Sequence, residues 1–178
     1  MKIFLQSTIN LINTINEWAG RLVSWLTLLL VLLVCYNVIC RHFFNEADAW
    51  RGELEWHIFG MIFMLGAGYA FRHDRHVRVD LFYTNYSKKD KAWTNLIGAI
   101  VLLIPWSVLI IIYSWDFAMG SLTIDEISPN PNGLKYRYLI KFAIPFGVGL
   151  LLLQALSSVA QSLYILIDNN PNETEAIE

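Results

Sequence analysis

The chain has 178 residues, 56% of them hydrophobic and 14% aromatic, and only 16% are charged, against roughly 25% in a typical soluble domain. Mean hydropathy is +0.44, and the net charge of -2 hides a segregation of sign, with a basic cluster between Arg72 and Lys91 and an acidic C-terminal tail. These values point to one membrane domain and exclude a nucleic-acid partner, which would need a basic face on a soluble fold.

Taken in chain order, residues 1–21 come first. Phe4, Leu11, Ile15 and Trp18 fall at helical spacing, with Leu5, Ile9 and Ile12 alongside and Asn10, Asn13, Thr14 and Glu17 opposite. The segment reads as amphipathic, either an interfacial helix in the headgroup region or an extension of the first span packed on a partner. Asn10, Asn13, Asn16 and Glu17 interrupt it too often for a signal peptide, so the first apolar run is expected to stay in the mature protein.

Residues 22–40 are uncharged and framed by Arg21 and Arg41; nineteen residues at helical rise cover roughly 28 Å, close to a bilayer's hydrocarbon core. Cys35 and Cys40 both lie in this run and suggest apolar filler rather than a disulfide framework or a zinc site. A second span is expected over 54–71. It is short, with an acidic pair, Glu53 and Glu55, at one end, and Arg72 able to snorkel at the other. Gly60, Gly66, Ala67, Gly68 and Ala70 make it small-sided, which predicts close helix packing.

The basic cluster follows, and its Leu81, Phe82, Tyr83 and Tyr86 suggest a short interfacial helix between spans two and three. Ser87 and Asp90 resemble a capping box opening the next helix. Spans three and four are expected over 92–116 and 139–167, each kinked by a tolerated proline, Pro105 or Pro145. Between them Ser-Pro-Asn-Pro-Asn-Gly, residues 128–133, is a loop, and 168–178 form an acidic tail. The fold class is an all-α membrane protein of four tilted transmembrane helices.

Eight Lys and Arg share the side that carries the N-terminus and the Arg72 to Lys91 loop, and five share the other. Both termini should therefore be cytoplasmic. Trp25 and Trp106 lie deep in their spans, where packing against protein is the expectation. Asn37, Ser107, Gln154, Ser157 and Ser158 are the main polar groups inside the spans. Such groups are expected to join helices rather than line a pathway.

No nucleophile and base constellation and no phosphate loop is evident, so the chain is not expected to be an enzyme or to carry a cofactor. Arg41, Glu53, Glu55, Asp116, Arg137 and Lys141 should share one depth at the outer face. They either pair internally or meet a soluble partner, with Glu53, Glu55, Asp116 and Lys141 the contact candidates. His42 and His57 near the same boundary keep open a redox anchor binding haem or quinone.

The acidic residue before a short span, then Leu65 to Ala70 as Leu-Gly-Ala-Gly-Tyr-Ala, then Arg72 to Asp80 as Arg-His-Asp-Arg-His-Val-Arg-Val-Asp, resembles the small membrane subunit of tripartite ATP-independent periplasmic (TRAP) transporters, the DctQ-like family. The resemblance implies a bacterial inner-membrane secondary transporter for organic acids such as sialic acid or a C4-dicarboxylate, usually driven by sodium. It also implies two partners, a large membrane subunit holding the substrate and ion sites and a periplasmic substrate-binding protein. The small subunit would brace the scaffold. Arg75, His76, Arg78 and Asp80 are then expected to hold the inner loop against lipid phosphates or that scaffold.

Overall fold

The computed structural model describes residues 2–73, 83 and 86–167. Four helices are long and apolar enough to cross a membrane. They are α1 (Lys2–Phe43), α2 (Ala49–Arg72), α3 (Lys88–Thr123) and α4 (Tyr138–Ile167). The expected interfacial helix and the 168–178 tail lie outside the described residues, apart from Tyr83 and Tyr86.

The N-terminal segment and the first apolar run form a single helix, α1. Its orientation departs from the pattern of a water-soluble helix, because Asn16 is buried beside Ile9 and Ile12 while Leu11 and Trp18 are exposed beside Asn10 and Thr14. A helix whose outer face meets lipid or another apolar protein gains little by turning leucine inward. What it must bury is its amides, where they find partners.

α4 packs against each of the other three helices, α1 packs on α2, and α3 reaches the bundle chiefly through α4. The α2–α4 seam is made by small residues. A Cβ at Gly147 would run into the Met64 carbonyl, one at Gly68 would lie 3.0 Å from the Leu150 carbonyl oxygen, and one at Gly60 would press on Ile140. A Cβ at Gly20, on α1, would overlap the Tyr69 ring. Backbones therefore meet almost directly, which is how helices associate where lipid removes the hydrophobic drive between them.

α3 opens on the expected cap. Asp90 N donates to Ser87 Oγ at 3.2 Å, and Ser87 Oγ donates to Asp90 Oδ2 at 2.6 Å. Residues Ala99–Leu103 form a π-helical segment in which Ile104 N donates to Ala99 O, directly ahead of Pro105. The looser turn relieves the crowding and the missing donor that a proline brings to a helix interior. Trp25 and Trp106 do not pack within this chain; they are 70% and 63% exposed. Both stand on the outward faces of α1 and α3, amid exposed Leu22, Leu29, Leu102 and Leu109.

Candidate functional site

The acidic start of α2 and the 124–137 loop form one polar assembly at one end of the bundle. Glu53 is buried. Its carboxylate accepts from Ser128 Oγ, from Asn130 Nδ2 at 2.7 Å and from Leu134 N at 2.7 Å. The loop is shaped to deliver these donors. Ser128 N donates to Leu134 O at 2.9 Å, Gly133 N to Asn130 O at 3.0 Å, and Gly133 packs so tightly on Ser128 that any Cβ there would collide. The loop also covers an exposed helix end, because Asn132 O accepts from Trp50 N at 3.2 Å, one of the N–H groups a helix start leaves unpaired.

The loop is locked a second time by Glu126, which accepts from Lys141 Nζ and, at 2.7 Å, from Ser121 Oγ. Arg137 stands 3.9 Å from the same carboxylate and 5.8 Å from the Trp56 ring centroid. The Lys141 ammonium, followed by the Ser121 hydroxyl, holds the Glu126 carboxyl below the usual carboxylate range. Arg51, also buried, bonds Glu46 and Asp48 at 3.0 Å each and lies within 6 Å of the Tyr36 and Trp50 rings.

The four contact candidates thus have different surroundings. Glu53 is enclosed by the loop, Lys141 is paired with Glu126, and half-buried Glu55 accepts from Asn37 Nδ2 at 2.7 Å. Asp116 is exposed and has no ion pair among the described residues. Arg75, His76, Arg78 and Asp80 lie outside the described residues. His57 is buried with Nδ1 2.6 Å from Glu53 O, and its Nε2 has no partner among the described residues.

The opposite end carries Glu17, which accepts from Arg72 at 2.7 Å and stands 3.2 Å from His73 and 3.5 Å from Arg21. Beside this cluster, Asn16 Nδ2 donates to Gln154 Oε1 at 2.9 Å, while Gln154 Nε2 and Ser157 Oγ donate to Asn13 Oδ1 at 3.1 and 3.3 Å. Gln154 and Ser157 therefore join helices, as their place in the fourth span suggested. Of their partners, Asn13 belongs to the expected polar face of the amphipathic segment, and Asn16 stands out in the sequence only as one of the residues that interrupt a signal peptide.

Residues 22–40, 56–71, 92–115 and 142–167 of these helices contain amides and hydroxyls but no Asp, Glu, Lys or Arg, and no group of three or more His, Cys, Asp or Glu among the described residues could hold a metal ion. These features define a multi-pass helical membrane protein in which Asn13, Asn16, Asn37, Glu53 and Gln154 fasten its own helices and loop, while buried Ser107 Oγ has no partner among the described residues. The family model for the DctQ component of tripartite ATP-independent periplasmic transporters matches residues 30–164. A protein of Haemophilus influenzae named as a TRAP transporter small permease is 30% identical over 128 residues, spanning 71% of this chain and 79% of that protein. The chain belongs to the DctQ family, and its general role is that of a transporter component. Nothing in these comparisons supports a haem or quinone anchor.

Proposed function

We propose that this chain is the small, non-transporting subunit of a TRAP-type secondary transporter in a bacterial inner membrane. It has both termini in the cytoplasm and braces the scaffold of the large membrane subunit during ion-gradient-driven uptake of an organic acid such as sialic acid or a C4-dicarboxylate. One observation carries this reading: the uncharged spans offer groups such as Gln154 and Ser157, bonded to Asn16 and Asn13 of α1, in place of an ionisable pathway, while large apolar side chains such as Trp25 and Trp106 face outward. A solute pathway would leave clustered ionisable groups at depth. A brace needs only an outer surface for a larger partner and a rigid interior.

Co-expression with the large subunit tests the reading. The pair should co-purify, and omission of this chain should abolish uptake; solute flux in vesicles holding this chain alone would overturn it. For the periplasmic binding protein, the docking candidates are exposed Asp116 and half-buried Glu55. Glu53 and Lys141 act indirectly by shaping the 124–137 loop. Asp116→Lys with Glu55→Lys should weaken docking and uptake, and unchanged docking refutes this part. Arg75, His76, Arg78 and Asp80 are assigned to holding the inner loop against lipid phosphates or the partner's scaffold, an assignment that fails if their joint replacement leaves assembly intact.

A further inference from the structure

A groove of about 430 Å³ runs along the end of α1 beside the start of α2. Val34 and Val38 supply its apolar lining, Arg41, His42 and Asn45 line it with polar groups past the end of the apolar run, and Glu55 lines it from α2. Residues 34, 38 and 41 recur at helical spacing, so one face of α1 changes from apolar to polar within about two turns, and Asn45 follows just past the helix end. The change falls at the end of the uncharged run, Leu22 to Cys40, where hydrocarbon gives way to headgroups.

The charges across the groove are opposed rather than paired, since neither Arg41 nor His42 has an ion pair among the described residues. Asn37 Nδ2 holds Glu55 Oε1 at 2.7 Å and so orients the carboxylate, while Oε2 has no hydrogen-bond partner among the described residues. Asn45 adopts a left-handed backbone, φ 53°, which asparagine tolerates better than most residues.

We infer that this groove binds the headgroup of a zwitterionic phospholipid bearing a primary amine. Its phosphate lies on Arg41, His42 and Asn45, its ammonium on Glu55, and one acyl chain runs over Val34 and Val38. Arg41 offers a planar fork that matches a phosphate diester, and the Glu55 carboxylate accepts most strongly from a cationic N–H donor. A choline headgroup has no such donor and a glycerol headgroup has no cation. The inference needs only residues of this chain and a bilayer; it shares Glu55 with the docking candidates, and lipid retention by the isolated chain reads the lipid role alone.

Native mass spectrometry of the full-length chain, exchanged in detergent against dioleoyl phosphatidylethanolamine, phosphatidylcholine or phosphatidylglycerol, tests it. The amine lipid should be retained about tenfold better than the other two, as one charge-assisted hydrogen bond would give. Arg41→Ala should cut retention of the amine lipid and the glycerol lipid alike. Glu55→Gln keeps an acceptor for Asn37 and should abolish only the preference for the amine, with circular dichroism confirming the fold of each variant. Equal retention of the three lipids, or retention untouched by both substitutions, overturns the inference. So does displacement by glycerophosphoethanolamine at equal concentration, which would mark a site for soluble phosphates. Loss of the bound lipid on assembly with the large subunit would also overturn it, marking the groove as a protein interface.

Discussion

The two ends of the bundle hold their acids by different means. Glu53 is buried and satisfied by two side-chain donors and a backbone N–H, all from one loop more than seventy residues away in sequence. Glu17 is only part-buried and is satisfied by two arginines and a histidine, one of them a single helical turn away. Neutral donors in a fixed loop demand one geometry, whereas long cationic side chains can re-form around a shifted partner. The Glu53 end is therefore rigid and specified, and the Glu17 end is adjustable and sensitive to salt.

Glu53→Ala should have the largest effect. It leaves the Ser128, Asn130 and Leu134 donors without an acceptor and should cost about 3 kcal/mol. Thermal unfolding in detergent reads the loss, and hydrogen exchange should localise it to 124–137. If exchange rises uniformly, or not at all, the loop is not held by this carboxylate.

Gly68→Val comes next. Its side chain would meet Asn16 Oδ1 and the Leu150 carbonyl, so the Asn16–Gln154 bond must open or the α2–α4 seam must widen, at about 2 kcal/mol. Thermal unfolding measures this as well, and Gly66→Ala, which faces only Val23 at an ordinary 3.6 Å, should be near neutral. Equal effects at the two positions would show that close approach is not confined to Gly68.

Acid separates the loop lock from ordinary carboxylates. Because the folded state lowers the Glu126 pKa, its contribution is present above the unfolded carboxylate value. It is lost as pH falls through the lower folded value. Loop exchange should therefore rise on acidification in the wild type, and Glu126→Gln should exchange faster at neutral pH with a flatter acid limb. The same acid limb in both proteins would remove Glu126 from the lock.

Glu17→Gln should have the smallest effect. A shift in unfolding temperature of no more than a few degrees, shrinking further in high salt, fits a part-exposed ion cluster. A salt-independent loss as large as that of Glu53→Ala would erase the distinction between the ends.

How legible these features were in the sequence depended on how local they are. The spans follow from uncharged runs, the Ser87 cap from three adjacent positions, and the small face of α2 from its glycines, because each signal lies within a few turns of chain. The partnership of Glu53 with residues 128–134 carries no local signal, and Glu126 looks like any acid in a turn-rich connection. The inward face of α1 is hidden for a different reason. Helical periodicity separates polar from apolar faces but does not say which faces inward, and with an apolar surround α1 turns Asn16 in and Leu11 out. Asn16 and Gln154 share a bond across 138 residues, and only the folded chain brings them together.

The π-helical segment in α3 sets where this helix can be shortened. Its buried positions, Ala92, Leu96 and Ala99, resume at Ser107 and continue through Ser114, Ala118 and Ser121. Eight residues of regular helix between Ala99 and Ser107 would turn that stripe about 80° away from α4. The wider π turn absorbs one residue and keeps the two halves in phase. Removing a single residue from 99–103, together with Pro105→Ala, should therefore leave α3 packed and the protein folded. The same deletion elsewhere in the helix would rotate everything beyond it by roughly 100° and strip one half of its contacts, a difference that folding yields of a deletion series would read directly.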